Sequence, residues 1–226
     1  MQRTEPPLIA IAICLAALAG FIDALAFVQL GGFFASFMSG NSTRLGVSLA
    51  SGLNGDATTA GALILSFVSG VMLASVIARA RPRDSMSAVM AAVTLLLLIA
   101  AAVGSLLPGM IALLLLAVAM GAANGVFHRD GEVTFGVTYL TGSLVRMGQK
   151  LAGALMGDGD RWEWVPYLLL WAGFVAGAVL GVGAEIRWGW TALWFAAGAS
   201  AVLTVLIRRA TKGPVLVSVP KVGPKP

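Results

Sequence analysis

The chain has 226 residues, 58% of them hydrophobic and only 11% charged, with a formal net charge of +5 and a mean hydropathy of +0.91. A water-facing domain carries about 25% charged residues, so this composition describes an integral membrane protein. It excludes a cytosolic enzyme, a nucleic-acid-binding domain and a disulfide-built secreted module.

A spanning helix needs about 20 apolar residues. Six segments meet that length, at 8–30, 59–79, 86–107, 109–128, 165–185 and 190–208. The first follows Arg3 and contains Ala17-Leu18-Ala19 before Gly20, which imitates a secretory signal, but its apolar character runs on to Leu30. Cys14 lies in this run, an inert small hydrophobe that permits neither an intramolecular disulfide nor a cysteine metal cluster. Gly31-Gly32 are expected to end the first helix. Two further segments, 37–53 and 138–155, are shorter and more polar, and carry Arg44 and Arg146 near their middles. The segment 211–226, with Lys212, Lys221 and Lys225 among prolines, is expected to be a basic disordered cytoplasmic tail.

The chain repeats itself. SGNSTRLG at 39–46 aligns with TGSLVRMG at 141–148, pairing Gly40 with Gly142, Arg44 with Arg146 and Gly46 with Gly148. Further on, Phe67-Val68-Ser69-Gly70 aligns with Phe174-Val175-Ala176-Gly177. Residues 1–107 and 108–210 are therefore expected to be two homologous membrane repeats. If the short segments do not cross and the N-terminus is inside, all of the 15 Lys and Arg except Arg44 and Arg187 fall on the cytoplasmic side. If they cross, Arg79, Arg81 and Arg83 move outside and the bias largely disappears. The positive-inside rule thus predicts an all-α membrane protein of six transmembrane helices plus two re-entrant half-helices, arranged as two inverted three-helix repeats with both termini cytoplasmic. Trp162 and Trp164 would mark one interface, Trp188 and Trp190 the other.

Non-helical backbone at membrane depth is tolerated only inside protein or beside water, and inverted repeats with short helices are the usual build of transporters. Each short segment starts with Ser/Thr-Gly and then becomes helical. Ser39, Asn41 and Ser42, or Thr141 and Ser143, can cap that start, whose free N–H groups favour an anion. Ser39, Thr43, Gly46 and Ala50 form one small face, matched by Thr141, Val145, Gly148 and Ala152, and the two short helices are expected to pack through it. Gly40 and Arg44, like Gly142 and Arg146, lie on the adjoining face. An arginine at depth costs at least about 2.5–3.5 kcal/mol unless paired or hydrated. Either the two arginines bind an anionic solute, or each is neutralised by a carboxylate, for which Asp23 is available. Asp23 is also a candidate proton or cation site. Asn124 stands near its place in the second half, one residue out of register, where it could bond a solute or join two helices. His128, Arg129, Asp130 and Glu132 are expected in a solvated loop, and small-residue faces such as Gly70 to Ala74 suit a homodimer as well as internal packing. No enzyme motif is present, and a lipid-acting enzyme would have to use Asp23, Ser39, Ser42 and His128, which share no persuasive spacing.

Gly20-Phe21-Ile22-Asp23-Ala24, Leu30-Gly31-Gly32-Phe33-Phe34 and Met38-Ser39-Gly40-Asn41-Ser42 together resemble the signature of the YoaK-like bacterial membrane proteins, as do Gly121 to Gly125 and Thr138 to Arg146. Ser39 stands where that family typically has threonine, and Gly125 where alanine is expected. The resemblance implies a bacterial inner-membrane location and lends no activity.

The expectation is therefore a permease or channel for a small solute, most consistent with an anion, bound at the midplane where the two re-entrant helix starts converge. Asp23, Ser39, Gly40, Asn41, Arg44, Asn124, Thr141, Gly142 and Arg146 are the candidate site, with no metal, cofactor or nucleic acid. The alternative is a non-transporting assembly or partner-binding protein whose buried charges are internally paired.

Overall fold

The computed structural model describes residues 6–126, 128–129, 132–133, 140–157 and 161–212. Among them the helices are α1 Pro6–Gln29, α2 Met38–Ala50, α3 Asn54–Ala80, α4 Ser85–Leu106, α5 Met110–Ala123, α6 Leu140–Met156, α7 Val165–Trp188 and α8 Leu193–Lys212. A two-residue antiparallel bridge, His128–Arg129 with Glu132–Val133, precedes α6, and a 3₁₀ turn, Gly189–Ala192, joins α7 to α8. The side chain of His128 and the tail beyond Lys212 lie outside the described residues.

By length and composition, α1 from Ile9, α3, α4 and the run Val165–Ala210 can cross a membrane. Gly189, at φ 53°, divides that last run into α7 and α8. The helix in the segment expected as a span at 109–128 is shorter than that segment: α5 has 14 residues, about 21 Å of helix. It stops because Asn124 folds its amide back on the Met120 carbonyl, while the N–H groups of Gly125 and Val126 turn onto Ala122 and Ala123. Hydropathy does not mark that stop, since Val126 and Phe127 continue the apolar run.

In lipid, apolar side chains gain nothing by leaving their solvent, so helix pairing rests on small residues that admit close backbone approach. Two crossings are built this way. In α1/α7, a Cβ on Gly177 would stand 1.9 Å from the Ala17 carbonyl oxygen, and one on Gly20 2.1 Å from that of Phe174. In α3/α5, a Cβ on Gly70 would stand 2.0 Å from the Val118 oxygen, and one on Gly121 2.0 Å from that of Phe67. Phe67 and Gly70 are the residues that the sequence repeat aligns with Phe174 and Gly177, so the two crossings correspond contact for contact. The same register sets Gly20 against Gly121 and therefore Asp23 against Asn124, which removes the one-residue slip read from the sequence. Gly125 also gains a reason: a Cβ there would lie 2.5 Å from that of Ala74. Gly70 and Ala74 thus serve α5 rather than a free dimer face.

Contact order gives helix direction. Ile13, Ala17 and Phe21 of α1 meet Gly173, Gly177 and Gly181 of α7, so these two run the same way. Phe67 and Ala74 of α3 meet Gly121 and Gly125 of α5, again in the same direction. In α4/α8, Thr204 bonds near Met90 while Gly104 meets Leu193, so these run oppositely. Short turns join α3 to α4 and α4 to α5, and each of these pairs packs as neighbours. The chain turns at Gly189, where Trp188 and Phe195 stack across the turn with centroids 5.1 Å apart. Arg44 touches both the Gly31 and Gly32 carbonyls, just past the end of α1, and Asp56 in the first turn of α3, so α3 begins where α1 ends, with α2 between them.

At the α4/α8 crossing, Thr94 Oγ1 lies 2.8 Å from both Ser200 Oγ and Thr204 Oγ1. Such an interhelical bond in a membrane protein contributes about 0.6 kcal/mol. Thr94→Val is accordingly expected to lower stability only slightly, by about that amount, in thermal unfolding. A loss of several kcal/mol would mean the hydroxyls hold more than this crossing.

Candidate functional site

The best-formed polar site lies where α1 ends and α2 begins. Gly31 and Gly32, at φ 61° and 106°, close α1 as expected, with the N–H of Gly32 donating to the Phe27 carbonyl. Asp23, buried in α1, accepts from the Ser36 N–H and from the Ser36 hydroxyl, both at 2.6 Å. The backbone amides of Ala35 and Phe37 lie beside it. The pairing of Asp23 with Arg44 or Arg146 is therefore corrected: both of its carboxyl oxygens are bonded to the peptide and hydroxyl of Ser36 in the following loop.

Asn41, fully buried on α2, ties the same loop from the other side. Its Oδ1 accepts from the Phe34 N–H at 3.0 Å, and its Nδ2 donates to the Phe34 carbonyl at 2.7 Å. Arg44, one turn on, donates through Nη1 to the carbonyls of Gly32 at 2.8 Å and Gly31 at 3.3 Å. Its guanidinium lies 3.9 Å from the Phe33 ring centroid, and Nη2 is 3.7 Å from Asp56. Asp56 sits in the first turn of α3, where the helix dipole favours an acid. Thr43, Arg44, Val47, Ser48, Leu53 and Asp56 line a shallow hollow of about 250 Å³.

The other sequence candidates in α2 play smaller parts. No side chain caps its start, where Phe37 holds the N-cap position. The hydroxyls of Ser42 and Thr43 instead donate back to the carbonyls of Met38 and Ser39, and Ser39 faces outward. The space over Gly40 is filled by the rings of Phe37 and Phe34, 2.5 and 3.1 Å from a Cβ built there.

The second half is arranged differently. No described side chain of α6 is buried. Thr141, Gly142 and Arg146 face outward, and among the described residues a Cβ on Gly142 would meet nothing within 4 Å and Arg146 forms no ion pair. Lys150 donates to Glu163 at 2.6 Å. Glu163 holds the place before α7 that Asp56 holds at the start of α3, so each half joins its short helix to the next long helix by an ion pair. Asn124 is buried at the end of α5, its amide on the Met120 carbonyl.

The structure thus brings Asp23, Asn41 and Arg44 together on the loop 31–36, and leaves Thr141, Gly142 and Arg146 on an outward face. The two short helices do not form a packed pair: α2 packs on α3 and α6 on α7. Both small faces, Ser39 to Ala50 and Thr141 to Ala152, are exposed, which corrects the expected packing between them. Anchoring Asn41 and Arg44 to the loop points the opposite face of α2 outward.

The Glu163 carboxylate, hydrogen-bonded to Lys150, holds that ammonium above its ordinary value of 10.5. A raised ammonium pKa means the pair is fully present below the ordinary lysine value and is lost as pH rises through the raised one. Glu163→Gln is expected to make Lys150 reactive toward an amine reagent at lower pH than in the parent protein. An unchanged pH profile of that reactivity would contradict the pair.

Sequence reasoning missed Ser36, Phe33, Phe34 and Asp56, and also Gln29, whose amide donates to Glu185 Oε1 and joins the ends of α1 and α7. Asp56 carried a usable signal, an acid in the same place as Glu163 relative to the repeat. Backbone carbonyls such as those of Gly31 and Gly32 carry none.

The chain matches the family described as Protein of unknown function (DUF1275) over residues 11–206, and it belongs to that family. It is 34% identical over 194 residues to a UPF0700 transmembrane protein of Rhizobium meliloti (strain 1021), a match covering 83% of this chain and 80% of that protein. No solved structure matches it. These findings bear out the resemblance seen in the sequence, and with the apolar helices they make the chain a multi-pass membrane protein.

Proposed function

We propose that this member of the DUF1275 family is a small-solute permease of the inner membrane, built from two inverted repeats, with a small anion as the favoured solute. The observation that carries the reading is the correspondence of the α1/α7 and α3/α5 crossings. Two halves that exchange contact for contact are the build in which a bound solute is passed between two equivalent arrangements. The place of α2 adds support, because a short helix between the end of α1 and the start of α3 enters and leaves on one membrane face. Arg146, the cation of the short helices that has no ion pair among the described residues, and the positive ends of the helices themselves favour an anion.

A second reading has specific support of its own. Asp23, Asn41 and Arg44 are all internally paired, as they would be in a non-transporting assembly protein. The two are separated by uptake of formate, acetate and nitrate into proteoliposomes carrying the purified protein. The permease reading expects uptake of at least one that saturates and exceeds protein-free vesicles. Uptake equal to protein-free vesicles for the whole panel, from protein with an intact thermal transition, sinks it in favour of the assembly reading.

A further inference from the structure

We infer that the two matched arginines have divided their roles, with Arg44 fastening α2 and Arg146 forming the contact for a small carboxylate or oxyanion. This rests on the permease reading and names the solute-facing residue within it.

The matched faces are Gly40, Arg44 and Ser48 on α2, and Gly142, Arg146 and Lys150 on α6, each spaced one turn apart so that the three residues stack on one side of the helix. On α2 that face is occupied. Aromatic rings fill the space over Gly40, Ser48 is buried, and Arg44 spends its donors on two carbonyls, a carboxylate and a ring face. Gly32 is fixed by the same contact, since a Cβ there would stand 2.2 Å from Arg44 Nη1. Arg44 therefore has the partners of a structural clamp.

On α6 the same face is open. Among the described residues nothing stands over Gly142, and Arg146 is exposed without an ion pair. Lys150, one turn on, is shared with Glu163 and adds partial positive charge. A guanidinium keeps its charge at any working pH and presents a planar fork that matches two oxygens of a carboxylate or oxyanion. The glycine one turn before it leaves room for that ligand against the helix. At Arg146 the fork is free of an ion pair among the described residues, whereas at Arg44 the same fork is already engaged by Gly31, Gly32, Asp56 and Phe33.

The test uses the full chain purified in detergent, with formate, acetate and nitrate as probes in calorimetric titration and with Tm recorded for every variant. Arg146→Gln is expected to weaken binding of the probe at least about tenfold and to leave Tm unchanged. Gly142→Leu, which fills the open space, is expected to weaken it likewise, while Arg146→Lys restores part of the affinity. Arg44→Gln is expected to lower Tm. The assignment is overturned if no probe binds the parent protein, if Arg146→Gln binds as the parent does, or if Arg44→Gln abolishes binding while keeping its Tm. Binding that needs Arg146, without any uptake in proteoliposomes, would refute the permease reading and leave the Arg146 site standing.

Discussion

Gly177→Ala is expected to lower the stability of the protein by about 1–3 kcal/mol, the range for forcing extra atoms into a packed interior. A Cβ at this position would lie 1.9 Å from the Ala17 carbonyl oxygen and 2.8 Å from the Ala17 Cα. Both are backbone atoms, so no rotamer change relieves the clash. The helices α1 and α7 must separate, and the neighbouring approaches at Gly20, Gly173 and Gly181 loosen with them. Gly183→Ala on the same helix is the control, because a Cβ there meets nothing within 4 Å. Gly70→Ala should cost as much as Gly177→Ala, since its Cβ would stand 2.0 Å from the Val118 oxygen in the matching crossing. Thermal unfolding in detergent checks all three. A Gly177→Ala protein as stable as Gly183→Ala would contradict the close α1/α7 crossing.

The second large effect belongs to Asn41→Leu, which is expected to destabilise by about 2–5 kcal/mol. Leucine is close in size but leaves the Phe34 N–H and the Phe34 carbonyl without their side-chain partner. These two groups are part-buried, and a fully buried backbone group left unmade costs about 1–3 kcal/mol. Loss of this tie frees the loop that also presents Ser36 to Asp23 and the Gly31 and Gly32 carbonyls to Arg44, so the damage spreads to the rest of the clamp. Ser42→Ala, which removes an exposed hydroxyl bonded within its own helix, is expected to leave Tm unchanged. Equal melting of the Asn41→Leu and Ser42→Ala proteins would show that the Asn41 bonds do not hold the loop.

How far the sequence foretold these contacts depends on what each one is made of. Long apolar runs and the arginine-bearing repeat are properties of side chains in order, so α1, α3, α4, α7 and both short helices were legible. The end of α5 was not, because it is set by Asn124 and Gly125 turning the backbone while the apolar run continues through Val126. The partners of Arg44 were hidden for a related reason: carbonyls exist at every residue, and only the positive φ of Gly31 and Gly32 aims these two at the guanidinium. The small faces of α2 and α6 are legible in the sequence, but their neighbours are not. Periodicity shows that a helix has such a face and says nothing about what it meets. Asp23 was found from its rarity in an apolar helix, whereas its partner Ser36, an ordinary serine among phenylalanines, had no mark of its own.

The central claim is that each short helix lies between two crossings of opposite direction, so that the halves are inverted relative to each other. Topology tests it most directly. Cys14, which is exposed, would be replaced by alanine, and single cysteines placed at Gly55, Arg83, Met156 and Arg187, all outward-facing positions near helix ends. Intact cells would then be treated with a membrane-impermeant maleimide. The account predicts labelling at 55 and 187 with 83 and 156 protected until the cells are opened. Labelling at 83 with protection at 55 would mean that α2 crosses the membrane, and the inverted arrangement would be contradicted.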